Sequence, residues 1–466
     1  GLSDMKKIMN TPETFVYDMC HGLAAAHPEL EFVEKFKVVK KKEINRNKVT
    51  LISGGGSGHE PAHAGFVGKG MLDAAVCGDV FASPSQIQVY EAIKATASDK
   101  GTLLIIKNYS GDCMNFNNAG ARAKEDDDIT VDAVFVNDDV AVTDSLYTVG
   151  RRGVAGTMFV HKIAGAAAEQ GKDLPEVKRI AQKVIDNVAS IGFAISSCTP
   201  PAKGTPIFEL ADENMEFGVG IHGEPGVATE KFVTSDELAE KMVARVKDNA
   251  VIQLKKGDEI AVIVNGFGGT PLSELYVLNN SVNKVIAKEG FKVHRALVGN
   301  YMTSLDMEGA SITFLKLDDE LKALLDAPVN TPALTWGATA SEEAEAALVA
   351  VRALAKAMNV VPAAKEECAE KAETAKKAAK AEKKAVYALT EKPVFAPKMN
   401  TAAFVALVDK MADVIIENEV HFCDMDSCGD GDFGMSIAKG FRQLKKDWAT
   451  RDKANIGAFL TSASDI

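Results

Sequence analysis

The feature that most constrains the fold is a β-rich run, residues 49–53, which leads into the glycine cluster Gly54-Gly-Gly-Ser-Gly-His59. A strand followed by such glycines is typical of an α/β sheet, in which ligands bind at the carboxyl ends of the strands. No Gly-Lys-Ser/Thr follows the cluster, which excludes a Walker phosphate loop, and the dinucleotide-binding fingerprint matches poorly. The structural alternative is a tight turn whose glycines only permit positive φ.

Short β-rich runs alternate with helical stretches from about residue 49 to 160, as in an α/β domain with a largely parallel sheet. Two further runs in this stretch are residues 103–107 and 133–137, each ending in polar turn residues. The run 259–264 is again followed by a glycine-rich turn. We therefore expect the fold class to be α/β, with two α/β subdomains over residues 5–336 and a boundary near 190–250.

The last third of the chain has a different composition. Residues 337–396 are rich in Ala, Glu and Lys, which indicates a helical or partly disordered linker, with a short coiled coil as the alternative. Beyond Pro397 apolar residues recur at helical spacing behind a cap at Asn400 or Thr401. We expect residues 397–466 to be the first part of an all-α domain, because so short a stretch does not enclose a helical core.

The net charge and composition of the chain favour a small-molecule partner. A formal net charge of -12 without a basic stripe argues against nucleic acid and against an anionic membrane surface. The seven cysteines are scattered without a CxxC pair, so we expect no disulfide framework and a cytoplasmic location. No apolar run approaches the roughly 18 to 20 residues that span a bilayer.

His59 is the first candidate for chemistry. It lies at the mouth of the glycine cluster, where an imidazole exchanges protons near neutral pH. His63, four residues later, is interpreted as structural, and its alternatives are a partner of His59 and a plain surface residue.

Two later segments carry a carboxylate and another histidine. Asp112 ends the segment Lys107-Asn-Tyr-Ser-Gly-Asp112 after an apolar strand, and it either acts as a general base in phosphoryl transfer or closes a turn. His222 lies in the glycine-lined segment 218–226, which leaves room for a small carbonyl compound to reach a nucleophilic imidazole nitrogen.

Four aspartates near the end of the chain form a third candidate. Asp424, Asp426, Asp430 and Asp432 are closely spaced and separated in part by glycine, and such hard oxygen ligands indicate Mg²⁺. A solvated acidic turn is the alternative. The nearby cysteines and histidine match no zinc spacing, and the ligand register of an EF-hand is missing.

Four motifs in this order resemble those of the dihydroxyacetone kinase family: Gly54-Gly-Gly-Ser-Gly-His-Glu-Pro61, Lys107-Asn-Tyr-Ser-Gly-Asp112, Gly220-Ile-His-Gly-Glu-Pro225 and Gly429-Asp-Gly-Asp-Phe-Gly434. Residues 5–336 resemble the ketone-binding domain of the family. Residues 400–466 resemble the start of its nucleotide-binding domain, an eight-helix barrel. The resemblance implies a kinase that transfers phosphate from Mg-ATP to dihydroxyacetone, and by extension to glyceraldehyde.

The same resemblance assigns roles to single residues. It implies that His222 binds the ketone covalently as a hemiaminal and that Asp112 and His59 act as acid and base. We expect the substrate to contact Gly56, Ser57 and Lys107 as well.

In the family two Mg²⁺ ions are held by three aspartates. Asp430 and Asp432 match the last two. The position expected for the first is Met425, so we assign Asp426 to it, with Asp424 as the alternative.

The family also implies a homodimer. Two other functions stay open at this point. One is a subunit of the phosphotransferase-system type, in which a phosphoprotein recharges bound ADP. The other is a ketone-binding co-regulator without catalysis.

Overall fold

The computed structural model describes residues 6–143, 149–337, 401–418 and 433–454. The chain divides into two compact units, Gly1–Trp336 and Gly337–Ile466. In the first unit the strands are β1 Leu30–Val33, β2 Val38–Lys41, β3 Thr50–Ser57, β4 Ala74–Val80, β5 Thr102–Lys107, β6 Val131–Val136, β7 Val188–Ala194, β8 Asn214–Phe217, β9 Ala228–Lys231, β10 Glu259–Gly266, β11 Lys292–Gly299, β12 Gly309–Lys316, β13 Val329–Asn330 and β14 Thr335–Trp336. Its helices are α1 Phe15–Ala26, α2 Gln86–Ala95, α3 Ser110–Asp127, α4 Thr157–Glu169, α5 Leu174–Ile185, α6 Ser235–Lys247, α7 Leu272–Glu289 and α8 Asp319–Asp326.

The first six-stranded sheet has the order β1-β2-β4-β3-β5-β6. Its pairs β3/β4, β3/β5 and β5/β6 are parallel, which confirms the predicted, largely parallel sheet. β5 is apolar along almost its whole length because both of its faces are buried. Leu103 and Ile105 face the core that contains residues of α4 and α5, whereas Leu104 and Ile106 face residues of α2 and α3.

The second six-stranded sheet has the order β11-β10-β12-β7-β8-β9. Its β10/β11 pair is parallel, and the other four pairs are antiparallel. Ile260, Val262 and Val264 of β10 pack against α6 and α7, while Ala261 and Ile263 belong to the core that also contains residues of the first sheet. The α/β fold class with two sheets is confirmed, although the glycine-turn pattern did not foresee the antiparallel pairing.

In the second unit the described residues include two α-helices and a short 3-10 helix, Trp448–Thr450. The helices α9, Thr401–Glu417, and α10, Phe433–Lys446, pack through Phe404 and Leu444. The predicted helical spacing is confirmed, with Met411 and Ile415 among the buried residues. Most of the predicted linker lies outside the described residues, and the domain boundaries and the helical barrel stay predictions. Within the described ranges no helix has both the length and the apolar character to cross a membrane.

Candidate functional site

The glycine cluster lies at the carboxyl end of β3, but the strand is longer than predicted. It continues through the three glycines to Ser57, so that the turn begins at Gly58. Glycine is needed inside the strand because a Cβ at Gly56 would lie 2.7 Å from the backbone nitrogen of Ala82. The hydroxyl of Ser57 donates to the carbonyl oxygen of Gly78 at 2.8 Å. Gly56 is thus packed against the chain that follows β4 and Ser57 against β4 itself, and the contact of either residue with a ligand stays a prediction.

His59 follows this turn and is fully buried. Its Nδ1–H donates to the carbonyl oxygen of Thr303 at 2.8 Å, in the loop between β11 and β12. This bond fixes the neutral tautomer and leaves Nε2 as an acceptor. Nε2 has no hydrogen-bond partner among the residues that the structure describes. His59 can therefore accept a hydrogen bond from a ligand hydroxyl.

Lys107 and Asp112 meet beside the same glycines. Lys107 ends β5, and Asp112 lies in the first turn of α3, where the helix dipole favours a carboxylate. A Cβ at Gly55 would lie 3.3 Å from Asp112 Oδ2 and 3.3 Å from Lys107 Nζ. Both side chains are buried, and within the described part of the chain Lys107 Nζ has no hydrogen-bond partner.

Burial changes the basicity of both groups. It raises the pKa of Asp112 above 3.8, although Lys107 and a hydrogen bond with Ser83 lower it in part. It lowers the pKa of Lys107 below 10.5, against the opposing effect of Asp112. A carboxylate with a raised pKa is a stronger base, which suits proton removal from a hydroxyl.

His222 lies in the loop between β8 and β9, and aromatic rings from other parts of the chain surround its imidazole. Its ring centroid lies 4.5 Å from that of Tyr109, 4.8 Å from that of His59 and 5.6 Å from that of Phe81. All three rings stand nearly edge-on to the imidazole, at 70° to 84°. His222 as a whole residue is only partly buried, although its Nδ1 atom is buried.

The enclosure keeps both site histidines neutral. Burial is the main cause that holds the pKa of His222 and the pKa of His59 well below 6.5, and the positive charge of Lys107 lowers both further. Arg152 adds to the effect on His222. An imidazole that stays neutral at pH 7 retains the lone pair that a nucleophile needs.

Comparison with known proteins gives the family. Residues 21–333 match the model of the Dak1 domain. Over 334 residues the chain is 51% identical to the dihydroxyacetone-binding subunit DhaK of a PTS-dependent dihydroxyacetone kinase from Listeria innocua, covering 71% of this chain and 100% of that protein. The chain belongs to the dihydroxyacetone kinase family.

Two solved structures are similar to this chain over different shares of its length. The dihydroxyacetone kinase from C. freundii in complex with AMP-PNP and Mg²⁺ has 30% identity and a TM-score of 0.63, covering 99% of this chain and 78% of that one. The dihydroxyacetone kinase operon co-activator DhaQ has 36% identity and a TM-score of 0.64, covering 68% of this chain and 97% of that one.

The structure brings together most of the site residues that the kinase-family motifs predict. His59 and His222 are in ring contact, and Lys107 and Asp112 meet beside Gly55. The predicted metal ligands Asp426, Asp430 and Asp432, with the alternative Asp424, lie outside the described residues. In the ranges that are described, no group of three or more His, Cys, Asp or Glu side chains could hold a metal ion.

His63 is neither a surface residue nor a hydrogen-bond partner of His59. It is buried, and its Nδ1 lies 2.8 Å from Nε2 of His161 in α4. Burial lowers the pKa of His161 to about 3, with a smaller contribution from Lys107. The two alternatives weighed from the sequence were therefore wrong, because the packing of the segment after β3 against α4 pairs residues 98 positions apart.

Sequence reasoning missed several residues that shape this kinase-family site. Tyr109, Phe81 and Thr303 hold the two imidazoles, although the hydroxyl of Tyr109 is used in a bond to the carbonyl oxygen of Gly153 at 2.9 Å. Tyr109 lies inside the Lys107–Asp112 motif, so an aromatic residue between two candidate catalytic residues was a usable signal. No local pattern marked Phe81 or Thr303, since they reach the site only through the fold.

Proposed function

We propose that the chain binds dihydroxyacetone and phosphorylates it with Mg-ATP, with covalent capture of the ketone by His222. The observation that carries the proposal is the neutral imidazole of His222, a partly exposed residue, within an aromatic enclosure. Charged and basic groups that can hold two hydroxyls surround the site: Lys107, Asp112 and His59. A ketone flanked by hydroxyl groups matches these features in both shape and chemistry.

The covalent step needs no added reactant. An imidazole nitrogen of His222 attacks the carbonyl carbon, the C–N bond forms, and the electrons of the C=O π bond move to oxygen. The ring loses its N–H proton and the oxygen gains one, so the product is a neutral hemiaminal. Only a carbonyl compound can react in this way, so the step selects dihydroxyacetone over glycerol.

The remaining groups hold and activate the bound triose. Lys107 donates a hydrogen bond to a hydroxyl oxygen, and Nε2 of His59 accepts one from a hydroxyl. Asp112 removes the proton of the terminal hydroxyl that attacks phosphorus. The hard carboxylate oxygens of Asp430, Asp432 and Asp426 suit Mg²⁺, which would neutralise charge on the nucleotide phosphates.

The kinase assay tests ATP as the phosphate donor. The chain is incubated with dihydroxyacetone, Mg²⁺ and ATP, with and without an added nucleotide-binding domain, and the triose phosphate formed is measured through a coupled dehydrogenase. We expect product with ATP in at least one of the two conditions. No product in either condition would overturn the ATP-dependent proposal.

A second candidate function is a dihydroxyacetone-binding subunit of the phosphotransferase type. The L. innocua relative, a PTS-dependent subunit matched over its whole length, favours it. Product formed only with a phosphoprotein and ADP-loaded partner would select this function, and ketone binding without turnover under any donor would select the co-activator type. A homodimer, action on glyceraldehyde and a cytoplasmic location stay predictions.

A further inference from the structure

A buried ionic network contacts the backbone of the loop that carries His222. The guanidinium of Arg152 has only 3% of its side chain exposed. Its Nε donates to Asp139 Oδ2 at 2.7 Å, its Nη1 to Glu224 Oε1 at 3.1 Å and its Nη2 to the carbonyl oxygen of Gly218 at 3.0 Å. One buried side chain thus joins the loop after β6 of the first sheet to the His222 loop of the second.

The carboxylate of Glu224 completes the connection. Its Oε2 accepts the backbone N–H of His222 at 2.9 Å, while its Oε1 accepts from Arg152. Glu224 itself is nearly buried, with 9% of its side chain exposed. Because Arg152 also binds Gly218, the network holds this loop on both sides of His222.

The sequence of the loop is fitted to this network. A Cβ at Gly220 would lie 1.8 Å from Glu224 Oε1 and 2.9 Å from Arg152 Nη1, so only glycine allows the ion pair to lie against the backbone there. A segment this rich in glycine loses much conformational freedom when it is fixed. Without an anchor the backbone at His222 would therefore sample several positions.

We propose that Arg152 and Glu224 are positioning residues that fix the backbone of His222 so that its imidazole is aligned with the ketone carbon. The inference rests on the proposed covalent role of His222. Formation of the C–N bond fixes the imidazole in one position, so a loop that samples several positions loses conformational freedom on reaction and its adduct is weaker. Glu224 acts through the main chain and need not touch the ligand.

The test uses the variant Glu224→Gln in the full chain. Glutamine has nearly the shape of glutamate, but its NH₂ group must face one of the two donors that the carboxylate now binds. Carbonyl-labelled dihydroxyacetone is titrated in, and the adduct is followed by carbon-13 NMR. We expect its formation constant to fall about tenfold or more, which corresponds to roughly 1.4 kcal/mol.

Asp73→Asn is the matched control. Asp73 is fully buried and likewise joins a backbone N–H to cations, since its Oδ2 accepts from Leu51 N at 2.8 Å and from Lys48 Nζ at 3.0 Å, and its Oδ1 accepts from Lys41 Nζ at 2.9 Å. We expect this variant to lose a comparable amount of thermal stability. Its formation constant for the adduct should stay within about twofold of the wild-type value, which is small beside the tenfold change, about 1.4 kcal/mol, expected for Glu224→Gln.

Arg152→Lys is the second variant if Glu224→Gln does not fold. It keeps the charge but cannot make three hydrogen bonds in a plane, and we expect the same loss of adduct. A wild-type adduct constant in the folded variant, or an equal loss in Asp73→Asn, would overturn the inference. Absence of the adduct in the wild type would instead refute the proposed covalent function.

Discussion

Replacing His161 with glutamine is expected to make the protein less sensitive to mild acid. In the folded chain burial lowers the pKa of His161 from 6.5 to about 3. In mild acid the imidazole is therefore protonated in the unfolded state but neutral in the folded state. Stability is therefore lost as pH falls below about 6.5. At pH 5, about 1.5 units lower, this one group costs roughly 2 kcal/mol, at about 1.4 kcal/mol per pKa unit.

The comparison between wild type and variant cancels the contributions of the buried acids and bases that do not contact His161, and leaves those of His161 and its neighbour His63. The free energy of unfolding is measured by urea denaturation at pH 7 and at pH 5, with the fluorescence of the two tryptophans, Trp336 and Trp448, as the signal. We expect the stability difference to shift by roughly 2 kcal/mol in favour of His161→Gln between the two pH values. The exposed His21→Gln serves as control. A difference that stays constant with pH would refute the reasoning.

Three further changes test the site. Asp112→Asn should lower kcat by about 10²- to 10⁴-fold while the adduct still forms, because it removes only the base, and a coupled assay with NMR measures both. Gly56→Ala should destabilise the fold by about 1 to 3 kcal/mol in thermal unfolding, because its Cβ would strike the backbone, whereas Gly22→Ala has open space. The positive charge of Lys107 lowers the pKa of His222, so Lys107→Met should raise that pKa. In an NMR titration toward acid the adduct should then be lost at a higher pH than in the wild type.

Each of these predictions has an outcome that contradicts it. Unchanged turnover in Asp112→Asn would remove the carboxylate from the chemistry. Equal stability of the two glycine variants would show that the close approach at Gly56 is relieved at little cost. An acid midpoint that stays in place or moves to lower pH in Lys107→Met would contradict the electrostatic account of His222.

Local patterns predicted the parts of the fold that depend on local residues. The apolar run of β5 and the helical spacing around Phe404 gave the correct elements. The length of β3 was misjudged because glycine is read as a turn signal, whereas here it allows β4 and the chain after it to approach closely. The antiparallel pairing of the second sheet depends on contacts between distant segments, which no local pattern contains.

The site was predicted where motifs carry the chemistry and missed where the fold supplies it. His59 and His222 lie in separate motifs, and only the family resemblance, not a local pattern, placed both at one substrate, where their ring centroids lie 4.8 Å apart. Arg152 was missed entirely, since a single arginine outside any motif is usually a surface residue. Its role becomes visible only when the fold brings Glu224 to its buried guanidinium.

The most direct test of the central claim is a carbon-13 NMR spectrum of the chain with carbonyl-labelled dihydroxyacetone. Hemiaminal formation converts the trigonal ketone carbon to a tetrahedral one, so we expect a new protein-bound signal in the tetrahedral region. The same signal should be absent from His222→Ala. A bound ligand that keeps only its ketone signal in the wild type, or a tetrahedral signal that persists in His222→Ala, would contradict covalent capture by His222.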